Sequence, residues 1–417
     1  MLTAVIVSDY GHPIGGAEKV AIDSAIGLAE LGVRVHFLAG VGPVDERLRA
    51  SGVMVHLADV PELSQKGTLE LLATGLWSRA CAALARRVLR DLPRGQTIIH
   101  VHCWQRALTT STLRACRESG HPMILTLHDY GSACPNQGFF DYHRGEICTR
   151  RALGVDCLRT NCDSRTYAHK LWRAARTTLQ HVAAAVPEQV EDVIYVSAFS
   201  RAILEPYFPA TTRWHAVRNP ITVVRRPRVQ AELNRPFLFV GRVTPEKGIQ
   251  LFAEATAKAV VPGIVVGEGP ALDDVRRDFP KLSYLGRLPA DRVHEAFASA
   301  RALVFPSIWY ETQGMVVQEA KASGLPLLVA DRTAAREAVQ EGETGLLFRH
   351  MDVGHLAEQM AKLAADDALI AAMSERAHAE YWRDPPSLQQ HIAALVNLYE
   401  RRLSLGTREA AVAVGAP

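Results

Sequence analysis

Long apolar runs are missing from this 417-residue sequence: none reaches the ~18 residues that a bilayer-spanning helix needs. A basic leader is missing too. Met1 to Asp9 is apolar but has no cationic start and no small-residue cleavage site. It reads as a first strand, and the chain is expected to stay in the cytoplasm. An excess of charge of one sign is nearly absent, with 47 Lys/Arg against 44 Asp/Glu for a formal net of +3, so the electrostatic case for nucleic acid falls away. Repeats of solenoid period are absent. The first glycine loop, Gly11-His12-Pro13-Ile14-Gly15-Gly16, lacks the G-x-G-x-x-G of dinucleotide oxidoreductases. No Asp-x-Asp pair follows a strand in the region where a catalytic metal would sit, so none is expected.

What is present is alternation. Ala4 to Val7 is a buried-strand pattern, Ala17 to Leu31 has helical spacing and stops at Gly32, and Val33 to Leu38 is the next strand. Further strands fit Thr97 to Val101, Met123 to Leu127, Val193 to Val196 and Trp214 to Val217. The pattern restarts at Phe237 to Val240, with a helix at Ile249 to Ala259. Strands follow at Gly263 to Val266, Leu282 to Leu285, Ala302 to Phe305 and Leu325 to Val329. This predicts two consecutive doubly wound α/β domains. Residues 1–220 form the first and 237–384 the second. Residues 221–236, with four arginines and flanking prolines, are the linker. Pro385-Pro386 opens the segment 385–404, whose last helix runs from about Leu388 to Leu403, and 405–417 reads as a tail.

The most informative segment runs from Phe305 to Ala320. It leaves a buried strand and enters a helix, so Gln313, Gly314 and Met315 stand at a helix N-terminus. Free backbone N–H groups and the helix dipole suit a phosphate there. Glu311 lies in the preceding loop, and Glu319 lies in the helix, placed to accept ribose hydroxyls. The loop Gly241-Arg242-Val243-Thr244-Pro245-Glu246-Lys247-Gly248 supplies cations. Breaking a sugar–phosphate bond leaves negative charge, which Arg242, Lys247 and the amides near Gly314 can stabilise. His128-Asp129 follows a strand of the first domain and faces the same side. His102 is a weaker candidate for that cleft. Ser197 fits a helix N-cap.

These residues resemble family 4 glycosyltransferases. Glu311 and Glu319 match that family's E-x7-E region, Gly15-Gly16-Ala17-Glu18 its N-terminal glycine loop, and Gly241 to Gly248 its pyrophosphate loop. Gly267, Glu268 and Gly269 match its turn near the nucleotide base, and Gly342 to Gly345 the turn closing the second domain. The resemblance implies a GT-B architecture: two Rossmann-like domains face across a cleft, and a C-terminal helix returns to the first. It implies a retaining enzyme that moves a hexosyl unit from a nucleotide-diphosphate sugar to a glycan or lipid-linked acceptor. The setting would be polysaccharide, lipopolysaccharide or capsule assembly. Glu311 and His128 would contact the donor sugar, Glu319 the ribose, and Arg242 and Lys247 the pyrophosphate. Where the family carries a small-residue motif after the strand Leu325 to Val329, this chain has Asp331 to Glu337, so Arg332 or Arg336 is placed to tune donor choice or to fill surface. Two other readings stand beside it: a non-catalytic nucleotide-sugar-binding subunit, and a nonhydrolysing sugar epimerase of the same fold.

Seven cysteines, an odd number in a large chain, do not make a disulfide scaffold. Four of them crowd one insertion, residues 131–165, as Cys134-x13-Cys148-x8-Cys157-x4-Cys162. Structural zinc, free thiols, and a disulfide or iron–sulfur arrangement remain open, and His143 can replace one thiol. From Arg144 to Arg176 eight Lys/Arg stand against three Asp/Glu. This basic stretch suits an anionic acceptor or peripheral contact with an anionic membrane. Leu76 to Arg94 reads as an ordinary surface helix.

Overall fold

The computed structural model describes residues 1–67, 70–71 and 74–414, and of residues 290 and 406–414 the backbone alone. Its strands are β1 (Thr3–Tyr10), β2 (Arg34–Val41), β3 (Met54–Leu57), β4 (Thr97–Val101), β5 (Met123–Thr126), β6 (Phe140–Asp141), β7 (Glu146–Ile147), β8 (Asp192–Tyr195) and β9 (Arg213–Ala216) in the first half. The second half holds β10 (Phe237–Val240), β11 (Gly263–Val266), β12 (Ser283–Gly286), β13 (Ala302–Phe305), β14 (Leu327–Ala330) and β15 (Gly345–Phe348). The helices that shape the site are α1 (Gly16–Glu30), α2 (Tyr167–Leu179), α3 (Ala198–Leu204), α4 (Ile249–Ala259), α5 (Met315–Ala322), α6 (Asp367–Arg383) and α7 (Leu388–Val414).

Two parallel sheets result, ordered β3-β2-β1-β4-β5-β8-β9 and β12-β11-β10-β13-β14-β15. Their central strands are continuous apolar runs because helices cover both faces; β1 and β13 are buried along their whole length. The order reverses between β1 and β4 and again between β10 and β13, where the chain opens a crevice at the carboxyl ends of the strands. This is the GT-B arrangement. Loops carrying His102, His128, Gly241 and Pro306 leave those ends.

Four strands were not read from the sequence: the two-residue β6 and β7 and the four-residue edge strands β3 and β15, all too short for a periodic signal. Gly345, read there as part of a turn, opens β15 and pairs with Leu327. The last helix continues through the segment read as a tail, to Val414. Leu403 to Val414 contains no proline, and its three alanines and two leucines favour helix, so the single Gly406 does not stop it.

Helix α7 returns to the first domain. Ile392, Leu395, Leu398 and Tyr399 enter the core beside Ile6, Ile22 and Leu28. The approach is close: a Cβ on Gly27 of α1 would stand 2.6 Å from Ile392 Cγ1. The chain thus crosses between domains twice, near Asn219–Pro220 and near Pro385–Pro386. Ile221 N donates to Pro386 O (2.8 Å) and Arg218 bonds Asp384 (3.1 Å), tying the crossings together.

Candidate active site

Of the residues singled out from sequence, Gly15, Gly16, His128, Gly241, Arg242, Lys247, Glu311, Gln313, Gly314, Met315 and Glu319, and the weaker candidate His102 with them, line one interdomain cavity of about 690 Å³. The domains meet closely at its rim. A Cβ on Gly16 would stand 2.9 Å from Met315 Sδ, so glycine lets the start of α1 approach the start of α5. Asn219 Nδ2 donates to Gln313 Oε1 (2.7 Å), and Thr312 Oγ1 donates to the His128 carbonyl (2.8 Å).

Glu311 is the most constrained group. Its Oε1 accepts from Lys247 Nζ (2.6 Å), Ser307 Oγ (2.6 Å) and Trp309 Nε1 (2.9 Å), and Tyr130 donates to its carbonyl (3.1 Å). Burial alone would raise its pKa, but the Lys247 charge and these three donors outweigh burial and hold it below the usual carboxylate range. Lys247 also sits 5.0 Å from the Trp309 ring centroid. Its ammonium is therefore held at the carboxylate, and both residues line the cavity. Arg242 is 62% exposed, its one ion pair among the described residues is with Glu246 at 3.7 Å, and it can turn toward an anion.

Helix α5 begins at Gly314 in the left-handed region, φ +84°, where a Cβ would meet the Phe305 ring at 3.1 Å. Glu319, one turn on, is half-buried in the cavity wall and makes no side-chain hydrogen bond among the described residues. Burial raises its pKa, with Lys19 of α1 opposing from across the cleft. A carboxylate with open acceptor positions suits paired hydroxyls.

His128 Nε2 lies 2.9 Å from His102 Nδ1 with the rings stacked. His100, behind them, bonds Tyr399 of α7 and Thr126, 2.6 Å each. Burial pushes His128 down to about 3, so its ring is neutral at physiological pH. Asp129 does not orient His128; its Oδ1 accepts from the Gly131 amide (2.7 Å) and closes a turn.

Several expectations require correction. Gly267, Glu268 and Gly269 do not line the cavity. They pack under the cationic loop instead: Gly267, at φ +141°, would put a Cβ 1.8 Å from the Gly241 carbonyl oxygen. Arg336 turns back to the Asp331 carbonyl, while Glu337 bridges the domains, accepting from the amides of Ala198 and Phe199 at the start of α3 (3.2 and 2.6 Å). Ser197 needs no correction: it is the N-cap of α3, as its place before that helix predicts. The basic stretch is partly turned inward: Lys170 and Arg176 are buried, and Arg150 and Arg173 pair with Asp141 and Asp163. The helix over Arg79–Arg90 packs its apolar face into the core. Among the described residues no helix is long and apolar enough to cross a membrane, and no group of three or more Cys, His, Asp or Glu side chains could hold a metal ion.

Sequence alone missed three contributors. Trp309 and Ser307 hold Glu311, but a Trp or Ser near a glutamate carries no signal without the fold. Arg106 lines the first-domain wall because the buried Asp9 carboxylate accepts from the amides of Arg106, Ala107 and Leu108, 2.9 Å each.

The two switch points, the cationic loop and the helix N-terminus opposite His128 define the class as a GT-B glycosyltransferase. The family model described as Glycosyltransferase Family 4 matches residues 14–225, and the one described as Glycosyl transferases group 1 matches residues 234–366. The chain belongs to glycosyltransferase family 4. It is 28% identical over 168 residues to a GDP-mannose-dependent alpha-mannosyltransferase of Corynebacterium glutamicum, covering 39% of this chain and 40% of that one. The aligned part is thus well under half of that relative. Among solved structures, sucrose-phosphate synthase from Thermosynechococcus elongatus superimposes with TM-score 0.70 at 15% identity, covering 97% of this chain and 100% of that one. The Anabaena protein HepE, crystallised with UDP and glucose, gives 0.66 at 16%, covering 96% and 100%. At such identities these two show the shared fold.

Proposed function

We propose that the protein is a retaining glycosyltransferase that takes a hexosyl unit from a nucleotide-diphosphate sugar. The observation that carries this is the Glu311 cage: a buried carboxylate held charged by Lys247, Ser307 and Trp309 beside the N-terminus of α5. Such a pair is costly to bury and gains its use when a polar ligand completes it. The diphosphate lies between the Gly241–Gly248 loop and the amides following Gly314. Glu319 accepts the ribose hydroxyls. Glu311 holds the sugar, with neutral His128 on its other side.

As the bond to phosphate breaks, Arg242, Lys247 and the α5 amides take up the charge on the leaving diphosphate. The leaving oxygen itself accepts the proton of the incoming hydroxyl on the same face, which retains configuration. That hydroxyl belongs to a glycan or lipid-linked acceptor on the first domain, residues 1–220, while 237–384 bind the donor. The setting is polysaccharide, lipopolysaccharide or capsule assembly on the cytoplasmic side, in peripheral contact with an anionic membrane. Support for a nucleotide-sugar donor comes from relatives and neighbours so named. The test is a panel of UDP- and GDP-sugars read by nucleotide release and thermal shift. A panel with no binding, or binding unaffected by Glu319→Ala, defeats the reading.

A further inference from the structure

The insertion after His128 turns one side chain into the cavity. From Tyr130 to Asp141 every residue is buried except Gln137, which is half-buried, lines the cavity and makes no side-chain hydrogen bond among the described residues. The backbone around it is strained: φ is +66° at Gln137 and +46° at Phe139, both in the left-handed region. A residue with a Cβ enters that region at a cost, whereas glycine enters it freely. Gly138, between the two, is glycine for a different reason. Its φ lies outside that region, but a Cβ there would stand 2.8 Å from Trp309 Cε3. Backbone conformation alone therefore favours glycine at 137. What glutamine adds is a carboxamide in the cavity, and strain held at such a place points to use.

The turn is held, so the amide has a fixed place. Gln137 N donates to the Cys134 carbonyl (2.9 Å), and the Gln137 carbonyl accepts from Tyr130 N (3.2 Å). Asn136 Nδ2 donates to the Cys162 carbonyl (2.7 Å). Lys170 of α2 is buried, with its ammonium between Cys157 Sγ and Cys162 Sγ at 3.2 Å from each. The ammonium occupies the point that a metal shared by these sulfurs would need, and it ties the insertion to α2 instead.

On its other side the turn reaches the second domain. Gly138 lies against Trp309, whose Nε1 donates to Glu311 Oε1 (2.9 Å). Tyr130 Oη donates to the Glu311 carbonyl (3.1 Å). Gln137 is thus placed relative to Glu311 through both Gly138 and Tyr130.

We propose that Gln137 is a specificity-determining residue that reads a hydroxyl of the donor sugar. This rests on the reading of Glu311 as the group that holds that sugar. A carboxamide offers an acceptor oxygen and an N–H₂ donor. It suits an uncharged hydroxyl, which both gives and takes a hydrogen bond, and it brings no charge near the diphosphate. A sugar that lacks this hydroxyl, or carries it in the other configuration, leaves the amide unpaired and binds more weakly. The strained turn holds the amide in place before the sugar arrives.

The experiment pairs Gln137→Gly with removal of single hydroxyls from the donor. Calorimetry of the full chain compares the nucleotide sugar that the wild type binds best with its monodeoxy analogues. One analogue is expected to bind the wild type roughly tenfold more weakly than its parent. In Gln137→Gly that gap should close to less than about twofold, while the nucleoside diphosphate alone binds both proteins equally. The melting temperature of Gln137→Gly should match or exceed that of the wild type. Gaps that all survive in Gln137→Gly overturn this inference and leave the donor site standing. A wild type that binds no nucleotide sugar overturns both. A variant that melts well below the wild type, or weakens every donor and the bare diphosphate alike, shows a structural role and overturns the inference too.

Discussion

Replacing Lys247 by methionine removes the one cation beside a buried carboxylate while keeping most of the side-chain volume. Glu311 would keep Ser307 and Trp309 as donors but lose its counter-charge. Breaking a buried pair costs about 3–5 kcal/mol, and the 19% exposure of Lys247 places this case at about 3. For a domain of this size that lowers the melting temperature by roughly 6–12 °C. Glu311→Gln added to Lys247→Met removes the stranded charge, so the double variant should recover at least half of the loss, although both variants stay inactive. The pH dependence has a definite sign. In the wild type the Glu311 pKa is depressed, so its contribution is present above the unfolded value and is lost as pH falls through the folded one. In Lys247→Met burial is unopposed and the pKa rises above the unfolded value. The penalty is then full at neutral pH and shrinks on acidification. Denaturant midpoints of the wild type, Lys247→Met, Glu311→Gln and the double variant at pH 7.5 and 5 measure it. Equal midpoints for wild type and Lys247→Met, or a double variant as unstable as the sum of the singles, would falsify the cage.

Three further outcomes follow from other parts of the site. Glu319→Ala should weaken nucleoside diphosphate binding by roughly 10- to 100-fold in calorimetry, the worth of hydrogen bonds to a charged group, with no loss of thermal stability. Gly248→Ala should lower the melting temperature sharply, because φ is +71° and the new Cβ would stand 1.9 Å from the Pro306 carbonyl oxygen; unchanged melting refutes the stated fit. Burial holds His100, His102 and His128 below the ordinary histidine range. The unfolded chain therefore binds these protons first, and stability should fall as pH drops below the unfolded value near 6.5, with a limiting slope of roughly 4 kcal/mol per pH unit for the three. A flat denaturant midpoint between pH 7 and 5 would sink that account.

Much of this architecture was legible because parallel sheets write themselves as apolar runs. β4, β10, α4, β11 and β13 were placed from sequence with the ends they have in the structure. The cavity-facing glutamates were legible too, because a strand, a loop and a helix start must occur in that order. What was hidden depends on contacts distant in sequence. Gly27 looks like an ordinary small helix residue until Ile392 arrives against it. Glu337 sits in a segment that read as a donor-tuning stretch, yet it caps a helix of the other domain. Lys170 counted toward a basic surface, whereas the fold turns it inward onto sulfur.

The paired crossings of the chain have a mechanical consequence. Two domains joined by one linker can swivel about any axis through it. Here the strand leaving at Pro220 and the one returning at Pro386 run side by side, clasped by Ile221 and Arg218. Two adjacent pivots leave a single easy rotation, about the line through both, as on a door hung from two hinges. Met315, which Gly16 approaches, packs against Ile221 beside these pivots, so the contact between the domains that must part is Glu337 on the start of α3. Admission of a donor and departure of the spent diphosphate then share one path and one latch.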